Sequence, residues 1–127
     1  MAALPPTDKK YFTQAEATKM LPLVKAIVAD ISTLAHSMRD RHEKLEDLEG
    51  YAREEIEDSL ANDQHRLQEL VDELQELGVE LKDFFSGLID FPCWSNDREV
   101  CLCWKLDEPA IGYWHEVWAG FAGRRKL

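Results

Sequence analysis

Apolar residues recur at three- and four-residue spacing along the first part of the chain, the pattern of a helix with one buried stripe. Thr13 precedes this stripe and can cap the amide of Glu16, whose carboxylate can reach back to the Thr13 amide. Pro22 removes one helical hydrogen bond and predicts a bend, because the stripe continues beyond it. The stripe is interrupted at Arg41 and contains Met20, Val24, Ile27, Ile31, Leu34, Met38, Leu45 and Leu48.

A second apolar stripe follows a charged segment around Gly50 and predicts a second long helix. Its members are Ile56, Leu60, Leu67, Leu70, Leu74, Leu77 and Leu81, with Asp63 in the same register. A turn near Gly50 folds the helices antiparallel, so residues whose numbers add to roughly 100 to 104 lie side by side. Arg41 then faces Asp63, which predicts a partly buried ion pair that sets the register of the hairpin.

The apolar period changes after Leu81 and becomes typical of strands. Residues 83–87 are expected to form a turn, and residues 88–106 a β-hairpin closed by Asn96-Asp97, a pair that tolerates left-handed conformations. This register pairs Cys93 with Val100, Phe91 with Leu102 and Ile89 with Trp104, so one apolar face covers the helices. On the opposite face, Asp90 is expected across from Cys103 and Pro92 across from Cys101.

Residues 107–110 predict a second turn, and residues 111–117 a third strand that places Tyr113 by Trp104 and His115 by Leu102. His115 is then expected to point at the helices. There the second helix carries Glu73, Glu76 and Glu80 on one flank. If the imidazole met one of these carboxylates, burial would shift the pKa of both groups. Two interpretations stay open: a ligand-binding histidine, or a structural histidine held by one hydrogen bond.

Composition narrows the classes of function. The 127 residues have the length of one domain, and 45% of them are hydrophobic. The net charge of −10 arises between Asp40 and Asp83, where 16 acidic residues stand against 5 basic ones. Such a field repels phosphate backbones and acidic membranes, so we expect neither nucleic acid nor membrane as a partner. No signal peptide and no membrane-spanning run is evident, which predicts a cytoplasmic protein.

The cysteines and the remaining histidines give weaker indications. Three cysteines are an odd number, and two of them share one side of a strand, so we expect free thiols rather than disulfides. Cys93 is expected on the other face, which argues against a zinc site made of cysteines alone. His36 and His65 lie about 160° from the apolar stripes, and with His42 they are expected to be exposed. Common phosphate-binding, serine-hydrolase and zinc-protease motifs are absent.

Several motifs together carry a resemblance to a known family. They are Phe12-Thr13 with Glu16-Ala17, Leu21-Pro22, residues 76–83, residues 87–92, Arg98-Glu99-Val100, residues 102–106, Glu108, residues 111–116 and residues 120–124. Over nearly the whole chain, these motifs resemble the bacterial domain of unknown function 2203 family. The family has no established activity, so the resemblance implies no reaction. Matching positions are Glu16, Glu80, Asp83, Asp90, Arg98, Cys103, Trp104, Glu108, Trp114, His115 and Arg124, whereas Cys93, Cys101 and Trp118 do not match.

We therefore expect an α+β, mainly α, single domain over residues 1–127. A long, coiled-coil-like antiparallel helical hairpin at about 13–83 is capped by a small antiparallel sheet at about 88–117. A basic tail at 118–127 follows, whose arginines neutralise the acidic helices or bind an anion.

The leading functional hypothesis is a divalent transition metal or small ligand bound by His115 with Glu73, Glu80 and Glu16. The alternative is a non-enzymatic interaction module whose hairpin associates with itself. Each helix of about 30 residues would span ~45 Å, longer than three strands can cover, which predicts a homodimer.

Overall fold

Two long helices pack on one face of a five-stranded antiparallel sheet in the computed structural model, which describes residues 3–127. Helix α1 spans Gln14–Lys44 and helix α2 spans Gly50–Leu77. The strands are β1 (Glu80–Asp83), β2 (Leu88–Ser95), β3 (Arg98–Trp104), β4 (Tyr113–Glu116) and β5 (Arg125–Lys126), arranged in chain order across the sheet. Short 3₁₀ turns lie at Leu45–Asp47 and Phe121–Gly123. The architecture confirms the predicted mainly α, α+β fold.

Helix α1 begins at the predicted cap. The Thr13 hydroxyl accepts a hydrogen bond from the Glu16 amide at 3.1 Å, and the Glu16 carboxylate accepts one from the Thr13 amide at 3.0 Å. The helix continues through Pro22, as the apolar stripe beyond it indicated. Val24 and Ile31 of the stripe are fully buried against the sheet. Local capping and one apolar face therefore suffice to define this element.

The helical hairpin has the predicted register but a shorter second helix. Arg41 pairs with Asp63 and also donates to the Ser59 hydroxyl at 2.9 Å, which confirms the expected ion pair. Helix α2 ends at Leu77 because Gly78 adopts a left-handed φ of 87°, and its amide bonds to carbonyls of the last turn. The prediction that the hairpin reaches residue 83 is wrong, since Glu80–Asp83 forms strand β1.

The central β-hairpin confirms the predicted register. Asn96 and Asp97 have φ values of 50° and 63°, as a tight two-residue turn requires. Three of the observed pairs are Cys93 with Val100, Phe91 with Leu102 and Ile89 with Trp104. Phe91, Leu102 and Trp104 are buried in the core that the sheet shares with the helices. Residues of opposite parity, including Asp90 and Cys103, therefore project from the outer face, away from the helices.

The predicted register of strand β4 is wrong by one residue. Tyr113 pairs with Cys103 instead of Trp104, and His115 pairs with Cys101 instead of Leu102. A one-residue shift moves every side chain of a strand to the other face. Trp114 consequently packs toward the core, and His115 projects from the outer face of the sheet. Residues 105–112 connect β3 to β4, and a connection of this length does not determine which face of the sheet each β4 side chain lies on.

Strand β5 and the connection before it replace the predicted basic tail. Residues Arg125 and Lys126 pair with Trp114 and Tyr113, so this end of the chain belongs to the sheet. Arg124 pairs with Glu108 of the β3–β4 connection rather than with the acidic helices. Of the two predicted roles of Arg124, neutralising the acidic helices is therefore wrong, and binding an anion stays a prediction.

One helical segment passes a length-and-composition test for a membrane span. The segment Gln14–Asp47 contains an 18-residue window of mean hydropathy 1.2, of which 39% is buried in the fold. The expectation that no run reaches membrane-spanning length is not met by this test, which the core helix of a globular fold also passes. The apolar positions of this helix that are buried in the core, among them Val28 and Ile31, pack against the sheet.

Candidate metal centre

A buried polar cluster lies on the outer face of the sheet, where three neighbouring strands meet. Asp90 on β2 is directly opposite Cys103 on β3, and Cys101 on β3 is directly opposite His115 on β4. Asp90 and His115 are each 3% exposed, although both can carry charge. Burial of an unpaired charge is costly, so a buried carboxylate and imidazole require each other or a metal ion.

The two ring nitrogens of His115 have distinct partners. Nδ1 lies 2.7 Å from the backbone carbonyl oxygen of Glu116, to which it must donate because a carbonyl has no proton. Nε2 lies 2.9 Å from Oδ1 of Asp90. A hydrogen bond between these two atoms requires one proton between them, carried by either the ring or the carboxyl group. If a metal ion replaced this proton, Nε2 would be the ligand, and the Nδ1 hydrogen bond would hold the ring in the required orientation.

Cys103 completes a group of three potential metal ligands. Its sulfur, a carboxylate oxygen of Asp90 and a ring nitrogen of His115 all lie within 4.8 Å of one another. Among residues 3–127, no other such histidine, cysteine and carboxylate group is found. Burial, reinforced by the Asp90 carboxylate, raises the pKa of the Cys103 thiol to about 12, and burial does the same for Cys101. Without a metal ion, both thiols are protonated near neutral pH and are poor nucleophiles.

A second layer of interactions holds the C-terminal segment over this face. The Arg124 guanidinium pairs with the Glu108 carboxylate and lies 3.8 Å from the centre of the Tyr113 ring. Tyr113 is the cross-strand partner of Cys103, so the guanidinium is close to the cluster, and its charge opposes the rise in the Cys103 pKa. Within the described chain, Nε of Arg124 is buried without a hydrogen-bond partner. The stacked, paired guanidinium fixes the segment that borders the cluster.

A small cavity of about 250 Å³ adjoins the cluster and gives it access to solvent. All four cluster side chains line it, together with Glu80 and Lys82 of β1 and Val117, Gly120 and Phe121 of the C-terminal segment. The Lys82 amine lies 3.3 Å from a Glu80 carboxylate oxygen, so these charges offset each other at the rim. The volume is below the range of about 300 to 1,000 Å³ typical of pockets for drug-sized ligands. It admits a metal ion with water, or a few heavy atoms.

The structure brings together only part of the metal-ligand set that the sequence analysis proposed. His115 and Glu80 line the same cavity, with Glu80 directly opposite Asp90. Glu73 is exposed on α2, which packs on the other face of the sheet. The carboxylate of Glu16 is engaged in the cap of α1. Helix carboxylates were expected to meet His115 because the register of β4 was misjudged.

Asp90 and Cys103 are the potential metal ligands that the hypothesis from the sequence did not include. Their pairing across the β-hairpin was predicted correctly, and both match the family motifs. The missing information was the face on which His115 lies. The three other histidines gave no competing site, since His36, His42 and His65 are exposed, as predicted.

A helical hairpin packed on an antiparallel sheet, with a buried imidazole, carboxylate and thiol on the outer face, defines the class of protein. The chain belongs to the family described as uncharacterized conserved protein DUF2203, whose model matches residues 10–127. The resemblance inferred from the sequence motifs is thereby confirmed. No curated protein and no solved structure matches the chain.

Proposed function

We propose that this protein binds a divalent transition metal ion through Nε2 of His115, a carboxylate oxygen of Asp90 and the sulfur of Cys103. The observation that carries the proposal is the convergence of these three buried atoms within 4.8 Å of one another. Ligands bound to one zinc ion at about 2.0 to 2.3 Å lie within roughly 4 Å of one another. Small side-chain movements therefore suffice to close the group around an ion.

The chemistry of the donors supports a transition metal rather than magnesium or calcium. Thiolate and imidazole are ligands that zinc, cobalt and related ions prefer, whereas magnesium and calcium prefer oxygen alone. A bound divalent ion would also replace the proton between Asp90 and His115 and stabilise the Cys103 thiolate. We propose a cytoplasmic location as well, because free thiols at Cys93, Cys101 and Cys103 are typical of reducing compartments.

Metal analysis of untagged protein tests this proposal. Zinc, iron, manganese, cobalt and nickel should be measured in purified protein, followed by titration of metal-depleted protein with Zn²⁺ and Co²⁺. His115→Ala should abolish stoichiometric binding, and His115→Gln should nearly do so, because an amide is a poor substitute for an imidazole nitrogen. His65→Ala is the matched control, since His65 is exposed on α2. Parent protein that binds neither ion stoichiometrically would refute the proposal.

A second candidate function, self-association through the hairpin, is supported by an apolar groove. Leu60, Leu67 and Phe84 contribute to a groove of about 820 Å³ beside the helices, and Phe84 is 40% exposed. Arg39 and Glu43 also line it. Such mixed charges suit a two-fold interface in which each copy presents both signs to the other. A second copy of this chain is therefore the proposed occupant.

Sedimentation at high micromolar concentration tests the dimer. Leu60→Glu should convert a dimer to a monomer, because a charge would be buried in the apolar contact. Leu23→Glu is the control, since Leu23 is 53% exposed on α1 and does not line the groove. A monomeric parent protein at that concentration would refute self-association.

A further inference from the structure

The two cysteines of β3 flank the contact between Asp90 and His115. Asp90 and Cys103 are cross-strand partners in one row of the sheet, and His115 and Cys101 are partners in the neighbouring row. The hydrogen bond between Nε2 and the carboxylate runs diagonally between β4 and β2 and so crosses β3 between the two cysteines. Successive residues of a strand face opposite sides, so Cys101 and Cys103 project from the same face.

The cross-strand pairing of these four residues is symmetric, with one cysteine in each pair. Cys103 is the cross-strand partner of Asp90, and Cys101 is the cross-strand partner of His115. Asp90, Cys103, Cys101 and His115 thus occupy neighbouring positions on the outer face of the sheet. Two thiolates, one imidazole and one carboxylate would together supply the four ligands that zinc takes in closed sites.

Cys101 is buried and lies beside open space, as a further metal ligand at this site would require. Its side chain is 4% exposed and lines the cavity that also reaches Asp90, Cys103 and His115. Its sulfur lies outside the group whose ligand atoms are all within 4.8 Å. Rotation about one side-chain bond between staggered conformers moves a cysteine sulfur without moving the backbone. The adjoining cavity of about 250 Å³ leaves room for that rotation.

We propose that Cys101 is the fourth protein ligand of the metal centre, so that the site takes thiophilic ions such as zinc, cobalt and cadmium. This inference rests on the proposed metal-binding function and extends it to coordination and selectivity. A site with two thiolates, one imidazole and one carboxylate discriminates against manganese and magnesium, which prefer oxygen ligands. Four protein ligands leave no position on the metal ion for a substrate. The metal centre therefore has a structural role, because it joins β2, β3 and β4.

Cobalt substitution distinguishes four ligands from three. Each cobalt-bound thiolate adds sulfur-to-metal charge-transfer absorption in the near ultraviolet, and tetrahedral Co²⁺ has intense visible bands. Metal-depleted parent protein, Cys101→Ser, Cys101→Ala, Cys103→Ser and Cys93→Ser should each be titrated with Co²⁺, with Zn²⁺ and with Mn²⁺. The Cys93 variant is the matched control, because Cys93 faces the helices and does not line the cavity. Circular dichroism of each metal-free variant verifies that it is folded.

Absorption per bound ion in the parent should be about twice that of either Cys101 variant, in proportion to two thiolates against one. Loss of Cys101 should weaken Zn²⁺ binding at least ~100-fold, the upper end of the effect of losing an outer-shell partner. The preference for Zn²⁺ over Mn²⁺ should fall in the same variants. Cys93→Ser should match the parent in all three measurements.

Two other outcomes separate this inference from the function on which it rests. If the Cys101 variants keep the parent spectrum and Zn²⁺ affinity while Cys103→Ser loses both, the site has three protein ligands and the role of Cys101 is refuted. If the parent protein itself binds neither ion, the metal-binding function fails, and the role of Cys101 fails with it.

Discussion

Replacement of either member of the Asp90–His115 pair should destabilise the metal-free protein strongly. Both side chains are nearly inaccessible, with exposed fractions of 4% and 3%. His115→Leu leaves Asp90 without its partner in the interior, and Asp90→Leu leaves the imidazole in the same position. Breaking a buried pair by removing one partner costs about 3 to 5 kcal/mol. For a domain of this size, such a loss lowers the melting temperature by roughly 10 to 20 °C.

The double variant Asp90→Leu with His115→Leu should be more stable than either single variant. Neither polar group is then left without a partner, and apolar side chains of similar size fill the space between the strands. Replacing a whole buried pair in this way is often close to neutral. The free energies of unfolding of all four proteins should be measured by urea denaturation at neutral pH with a chelator present. Asp58→Leu on the exposed surface of α2 is the control and should change little.

The coupling energy from this double-mutant cycle decides the question. If the two side chains interact, the double variant loses less free energy of unfolding than the sum of the losses in the two single variants. Simple additivity would show that Asp90 and His115 do not depend on each other, which would contradict the geometry of the cluster. With Zn²⁺ at ~100 times its dissociation constant, the parent should gain about 2.7 kcal/mol. All three variants should gain nothing, because each lacks a ligand.

Three further predictions concern other parts of the fold. Replacing Arg41 or Asp63 alone by Leu should destabilise the hairpin more than replacing both, and equal additive losses in urea denaturation would contradict their pairing. Gly78→Ala should cost about 1 kcal/mol or more, because φ at the end of α2 is 87° and an added Cβ would lie 3.1 Å from Lys10; an unchanged urea midpoint would refute this. Hydrogen bonds from the Ser86 hydroxyl and amide lower the pKa of Asp83 below its ordinary value of 3.8. The contribution of Asp83 to stability is therefore present above that value and lost as pH falls through the lower folded pKa. Asp83→Asn should be less stable than the parent near about pH 6 and converge with it at acid pH, and a constant difference would contradict the assignment.

Most of the buried polar cluster could be predicted from the sequence. Asn96-Asp97 fixed the register of β2 against β3, which placed Asp90 opposite Cys103 without any tertiary information. His115 was singled out correctly as the histidine to examine, but its partner was sought on the helices. The exposed positions of His36 and His65 followed from helical phase, and that of His42 from its place among charged residues near the hairpin tip. For this cluster, the sequence did not reveal on which face of the sheet His115 lies.

Local interactions explain what the sequence determined by itself. The cap at Thr13, the two apolar stripes and the tight turn at Asn96-Asp97 each depend on residues a few positions apart, so spacing identifies them. The Arg41–Asp63 pair could be predicted because a short connection leaves an antiparallel hairpin little freedom of register.

Tertiary packing decided the features that short-range spacing leaves open. Helix α2 ends before Gly78, so Glu80 lies in strand β1 instead of the helix. Arg124 pairs with Glu108 in the β3–β4 connection. The register of β4 follows a connection of eight residues, from Lys105 to Gly112, whose length permits either parity. In the observed parity, Trp114 packs against the core and His115 is buried beside Asp90 on the outer face, so both side chains have partners. The same choice turns His115 outward to Asp90 and Cys103, so the composition of the site depends on one residue of register.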